Sequence, residues 1–345
     1  MYHGPRDVRI EEVAEPTPGP GEVLVEVARN GICGSDLHTY MGSPAAAAIH
    51  VPGVVLGHEF SGTVREVGAD VDDLPLGTAV SVAPIEWCGV CPQCVAGMPN
   101  LCRTLAIYGG YRLPLHGGLA PWVVVSRRAA FPVPAGLDVA DAALAEPLAV
   151  AVHAVRRAPR TLGAVVVVLG AGPIGLAVLQ SVRAAGASVT VVSEPSSARR
   201  SLATSFGATA AIDPRVDKLP SVVRDLARGG ADLVFDTAGA QAALDAGVAS
   251  LRPHGTLVNV AQWSAPAAVD MGRAMAREID LRFAFTYEPA VDFPVALALL
   301  ASGAVDARAM ITDHIALEQV VDLGLEELLH HNDRHVKILV DPQPA

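Results

Sequence analysis

Five cysteines divide four and one along this chain, and that division constrains the fold more than any other feature. Cys88, Cys91, Cys94 and Cys102 fall in one stretch, CGVCPQCVAGMPNLC, at C-x2-C-x2-C-x7-C spacing. Four thiolates so placed close a tetrahedral site around Zn2+ and leave no position for a reactant, the arrangement of a structural metal. A lobe over about residues 86–103 is therefore expected to fold around an ion. The N-terminal MYHGPRDVRIEEV reads as a charged strand and not as an export signal, which points to a reducing compartment. Disulfides are rare there, so the spacing favours metal.

Cys33 stands alone in GICGSDLH, and His58 and Glu59 follow in LGHEF. One thiolate, one imidazole and one carboxylate leave a coordination position open, as a catalytic zinc requires. Two zinc ions per chain are thus expected, with different jobs. Glu146, in LAEPLAVAVHA, is a charge in a nearly uncharged segment and needs a partner. It is either a further zinc ligand, direct or through water, or half of a buried salt bridge. Ser35 and His38 follow Cys33 closely. A hydroxyl there can pass on the proton of a reacting alcohol, and an imidazole can deliver it toward solvent. Of eleven histidines, only His38 and His58 join such a constellation.

A chain of 345 residues accommodates two domains of ordinary size. The first half alternates short strands with Gly/Pro turns: a period-2 strand from Glu22 to Ala28, then FSGTVREVG and TAVSVAP. That pattern suits a mostly-β domain of barrel type. From Ala164 the character changes. AVVVVLG precedes a helix over about Pro173 to Ala185, and SVTVVS precedes one over about Ser197 to Phe206. ADLVFDT, GTLVNVA and IDLRFAF are later strands of the same kind. Strands and helices in alternation imply βαβ units and a parallel sheet buried on both faces. After Tyr287 the pattern is helical again and ends in a strand, VKILV. The expected division is 1–148 for the catalytic domain, 149–287 for the nucleotide domain, and 288–345 for a return to the first.

VVVVLGAGPIGLAV places Gly170, Gly172 and Gly175 as G-x-G-x-x-G between a buried strand and a helix. In that context the motif reads as a dinucleotide site. The first glycine permits the tight turn, the second lets backbone approach a pyrophosphate, and the third lets helix and strand pack closely. The next strand ends at Glu194, where a carboxylate accepts both ribose hydroxyls of NAD and repels the 2′-phosphate of NADP. NAD is therefore expected over NADP. Arg199 can stack on the adenine or help hold a phosphate, while Arg200 is read as lying on a solvated helix face. The net charge of −11 argues against nucleic acid or an anionic membrane surface as partner. No run of about 18 uncharged apolar residues suggests a membrane span.

Taken together, GEVLVEVARNGICGSDLH, LGHEFSGTV, the four-cysteine lobe, AEPLAVAVHAV, GAGPIGL, VVSEPSSARR and HVKILV resemble the zinc-dependent medium-chain dehydrogenase/reductase family over essentially the whole chain. Within it they look most like the 2,3-butanediol dehydrogenase branch, beside sorbitol and threonine dehydrogenases. The resemblance implies an α/β protein: a GroES-like, mostly-β catalytic domain plus a Rossmann domain with a doubly wound parallel sheet, the active site in the cleft between them. It implies a catalytic zinc at Cys33 and His58 with Glu59 or Glu146, a relay through Ser35 and His38, and a structural zinc at Cys88, Cys91, Cys94 and Cys102. Cofactor contacts carry over to Gly172, Pro173, Ile174, Glu194 and Arg199, and extend to Val260, Ala261, Phe285 and Thr286.

The implied activity is NAD-linked oxidation of a small secondary alcohol or vicinal diol, with butanediol/acetoin leading. Sorbitol-type polyols, L-threonine and a larger pathway-specific alcohol stand behind it. The resemblance also implies a cytoplasmic homodimer or homotetramer. Pro121 and Trp122, VFDTAG, Trp87 and the segment Ile107–Gly118 depart from the family's usual pattern, the last where a loop approaches the substrate. A non-catalytic nucleotide-binding protein is the rival class. It predicts missing ligands, yet Cys33, Ser35, His38, His58 and Glu59 are all present.

Overall fold

Strand Glu22–Gly31 organises the N-terminal half of the computed structural model, which describes residues 1–43 and 50–343. The chain divides into two compact units. The first takes in Met1–Glu146, Glu288–Ser302 and the chain from Ala307 onward. The second takes in Pro147–Tyr287 and Gly303–Asp306.

In the first unit, Val23, Val25 and Val27 of EVLVEVARNG are wholly buried, because alternate residues of a strand share one face. Their burial against Phe60, Val64, Val80, Val82, Val123 and Val125 forms the core of this half. Each such side chain contributes about 1.5–3 kcal/mol relative to exposure. The sheet runs Ile311–Ala316, Lys337–Asp341, Glu22–Gly31, Glu59–Val67, Ala79–Val82, Ala130–Pro132, and Trp122–Ser126 also pairs with Glu22–Gly31. The register places Gly31 opposite Glu59 and Leu339 opposite Gly31. The last strand therefore lies beside the two segments that carry Cys33 and His58.

Two elements differ from the expectation. The N-terminus is a short hairpin, Tyr2–Gly4 against Asp7–Val8, and not a single strand. Pro5 cannot donate to a ladder, and Arg6 takes a left-handed φ of 56°, so the chain reverses. The C-terminal segment holds an unforeseen strand, Ile311–Ala316, parallel to Lys337–Asp341. Its polar residues mask the signal, and its stability comes from a partner 26 positions on. A π-helix, Val320–Glu326, lies in the connection.

The second unit holds, among the described residues, six parallel strands in the order Ala210–Ile212, Val189–Ser193, Val165–Leu169, Ala231–Asp236, Leu251–Asn259, Asp280–Phe283. Val166, Val167, Val168 and Leu169 are all at 0 % exposure, which is why this strand reads as a continuous apolar run. Helices Pro173–Ala184 and Ser197–Ser205 begin close to the expected positions. The order is that of a doubly wound Rossmann sheet, in which nucleotides bind where the winding reverses, beyond the carboxyl end of the first strand. No described helix is long and apolar enough to cross a membrane.

Candidate metal centres and nucleotide site

Cys33 leaves the strand Glu22–Gly31 and caps helix Gly34–Tyr40. Its N–H donates to Asp36 Oδ2 at 2.9 Å, fixing the first turn. Gly57, at φ 95°, turns the chain just before His58, and Glu59 opens the strand Glu59–Val67. Ligand atoms of Cys33, His58 and Glu59 then lie within 4.8 Å of one another. Thiolate, imidazole and carboxylate at that separation fit a zinc ion. Glu146, only 8 % exposed, opens helix Ala145–Arg157 and is not one of that cluster.

Ser35 Oγ is 3.1 Å from His58 Nε2. His38 lies one turn further on, half-buried, and its ring makes no hydrogen bond to Ser35. Two further residues reach this centre that local spacing does not mark. Asp36, 4 % exposed, sets Oδ1 at 3.4 Å from His58 Nδ1. Burial opposes the charge of both groups, but their attraction overrides it. Asp36 stays below the usual carboxylate range and His58 rises well above the usual imidazole value. A carboxylate on Nδ1 also fixes the tautomer that frees Nε2 for a metal. Lys337, 1 % exposed, donates from Nζ to Glu59 Oε2 at 2.5 Å and to the Ile32 carbonyl at 3.0 Å. Burial alone would lower its pKa, yet the Glu59, Cys33 and Glu146 charges hold it above the ordinary lysine value. The one signal in the sequence was a charge inside an apolar terminal strand.

In the lobe, the four thiols stand apart by 4.0 Å for Cys88–Cys94, 3.5 Å for Cys91–Cys94, 3.9 Å for Cys91–Cys102 and 3.6 Å for Cys102–Cys88. Four sulfurs about 2.3 Å from one zinc are about 3.8 Å from each other, whereas a disulfide needs about 2.05 Å. The spacing therefore fits a metal tetrahedron. N–H groups of Val90 and Cys91 aimed at Cys88, and of Arg103 and Cys94 aimed at Cys91, lower those two thiols. Burial, with sulfur hydrogen bonds to Cys91, Cys102 and Cys88, pushes the Cys94 thiol up to about 12. Trp87 packs at the base of the lobe beneath the Arg128 guanidinium, 4.1 Å from the ring centre. The Ile107–Gly118 loop is strapped to the approach to His58. Gly117, Gly118 and Leu119 donate to the carbonyls of Val55, Gly57 and Leu56, and Val55 N–H donates to His116 Nδ1.

In the second unit, Gly170 has φ 91°, and Gly172 caps helix Pro173–Ala184, so Pro173 and Ile174 form its first turn. A Cβ on Gly175 would meet Gly170 O at 2.1 Å, while one on Gly172 would enter open space. That open space, beside free helix N–H groups, is a cradle shaped for a phosphate. A cavity of about 840 Å3 continues from it, lined by Gly170, Gly172, Ser193, Glu194, Arg199, Lys218, Arg224, Thr237 and neighbours. Glu194 is 4 % exposed. Its carboxylate accepts from Ala171 N at 2.7 Å and Ser196 N at 2.8 Å.

Arg200 does not lie on a solvated face. It donates to the Glu194 and Pro195 carbonyls and sits 3.3 Å from Asp213, because carbonyl oxygens and a carboxylate together draw the guanidinium in. Val260, Ala261, Phe285 and Thr286 lie outside the cavity lining. The Val260 and Ala261 N–H groups both bond to Asp236 O. Thr286 is held at φ 47° with a buried hydroxyl that has no protein partner.

The first unit's sheet and the second unit's doubly wound sheet are those of a zinc-binding dehydrogenase. Residues 19–135 match the alcohol dehydrogenase GroES-like domain, and residues 173–302 match the zinc-binding dehydrogenase family. The chain is 34 % identical to an (R,R)-butanediol dehydrogenase of Neisseria gonorrhoeae over 99 % of its own length and 98 % of that protein's. It is 32 % identical to a sorbitol dehydrogenase of Bacillus subtilis over 99 % and 96 %. A zinc-binding dehydrogenase from Sinorhizobium meliloti 1021, solved with NADP, superposes with a TM-score of 0.90 at 33 % identity, covering 98 % and 96 % of the two chains. The chain belongs to the zinc-dependent medium-chain dehydrogenase/reductase family and is an alcohol dehydrogenase.

Proposed function

We propose that this chain moves a hydride between NAD and a small secondary alcohol or vicinal diol of the 2,3-butanediol/acetoin type. The observation that carries the reading is the convergence of Cys33, His58 and Glu59 donor atoms within 4.8 Å. Cys33 and His58 would hold a catalytic zinc together with Glu59 or Glu146, and the four-cysteine lobe a structural one. Zinc held there supplies a Lewis acid for a substrate oxygen, and NAD supplies the hydride acceptor. Asp36 orients the His58 ring. Ser35, beside His58 Nε2, is placed to accept the hydroxyl proton of an alcohol and hand it toward His38 and solvent.

Glu194 supports NAD over NADP, because a buried carboxylate at the end of the second strand repels a 2′-phosphate. The glycine cradle takes the pyrophosphate and Arg199 the adenosine side of the cavity. Val260, Ala261, Phe285 and Thr286 are assigned to the nicotinamide end. The unpartnered Thr286 hydroxyl supports that assignment. A polyol substrate is the second reading, favoured by the sorbitol dehydrogenase relative.

The test is NADH formation across both butanediol enantiomers, the meso form, sorbitol, threonine and 2-propanol, with and without a chelator and with NADP in parallel. A chelator-sensitive signal confined to a diol stereoisomer with NAD is expected. A signal with sorbitol alone moves the assignment to polyols. Silence throughout, from protein holding two zincs per chain, refutes the small-substrate reading. A homodimer or homotetramer is part of the proposal. The exposed Val90 and Val95 of the lobe and Phe283 of the sheet's edge strand support it, and light scattering on the purified chain checks it.

A further inference from the structure

A lysine at 1 % exposure in the last strand of a sheet is an expensive choice. Taking an ammonium out of water costs several kcal/mol unless its partners are well placed. The register asks for an apolar residue here, since Ile338, Leu339 and Val340 beside it are all at 0 % exposure. A methionine would fill the same space without the charge.

The packing around Lys337 is built for that charge. Its Nζ lies 2.5 Å from Glu59 Oε2 and 3.0 Å from the Ile32 carbonyl. The neighbouring residue, Ile338, accepts the Ile32 N–H at 3.1 Å, so the final strand grips both polar groups of the residue before Cys33. Gly31 makes room for the pair. A Cβ there would fall 2.2 Å from Glu59 Oε2 and 3.3 Å from Lys337 Cδ.

Resting on the reading of Cys33, His58 and Glu59 as a zinc site, we propose that Lys337 is the built-in counter-cation of that site. It neutralises Glu59 when no metal is bound, and it competes with the metal for the same carboxylate. Lys337 is thus a positioning residue that acts through Glu59. Two consequences follow from Coulomb's law. Without Lys337, the metal-free centre carries an uncompensated buried carboxylate and loosens. With zinc present, a cation that repels the ion is gone and Glu59 is free to ligate, so zinc binds more tightly.

The test uses full-length wild type, Lys337→Met and Lys337→Arg, loaded with zinc and then stripped with a chelator. Cys33→Ala chains, which keep the four-cysteine lobe, serve as the background for that second metal. Thermal unfolding should show chelation lowering the Tm of Lys337→Met by about 5–10 °C more than that of wild type. Competition with a chromophoric chelator should show zinc held at least about tenfold more tightly by Lys337→Met. Lys337→Arg keeps the charge and should track the wild type in both measurements. Equal Tm losses and equal zinc affinities overturn the proposal.

If Lys337→Met fails to fold even when loaded, the double variant Glu59→Gln/Lys337→Met decides. Removing both charges should restore folding, and no restoration overturns the proposal, because the damage then did not come from an unpaired Glu59. Wild-type chains that take up no zinc at the Cys33 centre sink the functional reading. Zinc uptake with no difference among the variants sinks only the role given to Lys337.

Discussion

Gly172 and Gly175 sit three residues apart in one motif, and an added methyl should damage the two positions differently. At Gly175 a Cβ would stand 2.1 Å from the Gly170 carbonyl oxygen and 2.8 Å from Thr237 Oγ1. The first neighbour is backbone, held by the Gly170 N–H bond to Ser193 O at 2.9 Å, and cannot swing aside. Carbon and oxygen need roughly another ångström, so helix Pro173–Ala184 must retreat from the strand Val165–Leu169. Overpacking of this kind costs about 1–3 kcal/mol. The helix N–H groups move with it, so NADH binding should weaken at least about tenfold, or about 1.4 kcal/mol. At Gly172 nothing lies within 4 Å of the added Cβ. Gly172→Ala should therefore fold with unchanged Tm and lose NADH affinity alone, because its methyl occupies ligand space. NADH fluorescence titration with thermal unfolding on both variants separates the two failures, and zinc content serves as the control. Gly175→Ala with wild-type Tm and affinity would refute the packing argument. Gly172→Ala with wild-type affinity would refute the placement of the pyrophosphate.

Cys88→Ser should cost one zinc per chain by metal analysis and lower the Tm, since three thiolates hold the lobe poorly; two zincs retained would contradict the tetrahedral reading. Glu146→Gln should lose turnover while keeping most of its metal, whereas loss of zinc in that variant would make Glu146 a plain structural ligand. In metal-free protein, Asp36 raises the pKa of His58 in the folded state. The stability this adds is full below about pH 6.5 and is lost as pH rises through the folded value, so Asp36→Asn should flatten the alkaline decline in Tm of chelated protein. Asp36 itself is held low, so its own contribution is present above about pH 3.9 and is lost as pH falls through its folded value; an unchanged pH profile in Asp36→Asn would show that the pair adds nothing.

What the sequence determined by itself is what depends on neighbours a few residues apart. Cys-x2-Cys-x2-Cys in a tight turn brings sulfurs to tetrahedral separation whatever surrounds it. A buried strand, two glycines and a helix start form one continuous local unit, so the phosphate cradle was legible. The all-parallel sheet followed from apolar runs such as VVVVL alternating with helices, a pattern that both-sided burial imposes on each strand separately. Tertiary structure decided what depends on residues far apart. Lys337 reaches Glu59 across 278 positions, and no spacing rule predicts which buried carboxylate a buried lysine will meet. Asp36 was in plain view in CGSDLH, but its bond to His58 appears only when two strands pair in register. Arg200 looked solvated on its helix, and the Asp213 carboxylate that draws its guanidinium in lies just past the next strand, Ala210–Ile212. Ile311–Ala316 has too little apolar alternation to announce a strand and becomes one through the ladder it makes with Lys337–Asp341. In each case the deciding energy is a long-range contact between polar or charged groups, which hydrophobic periodicity cannot encode.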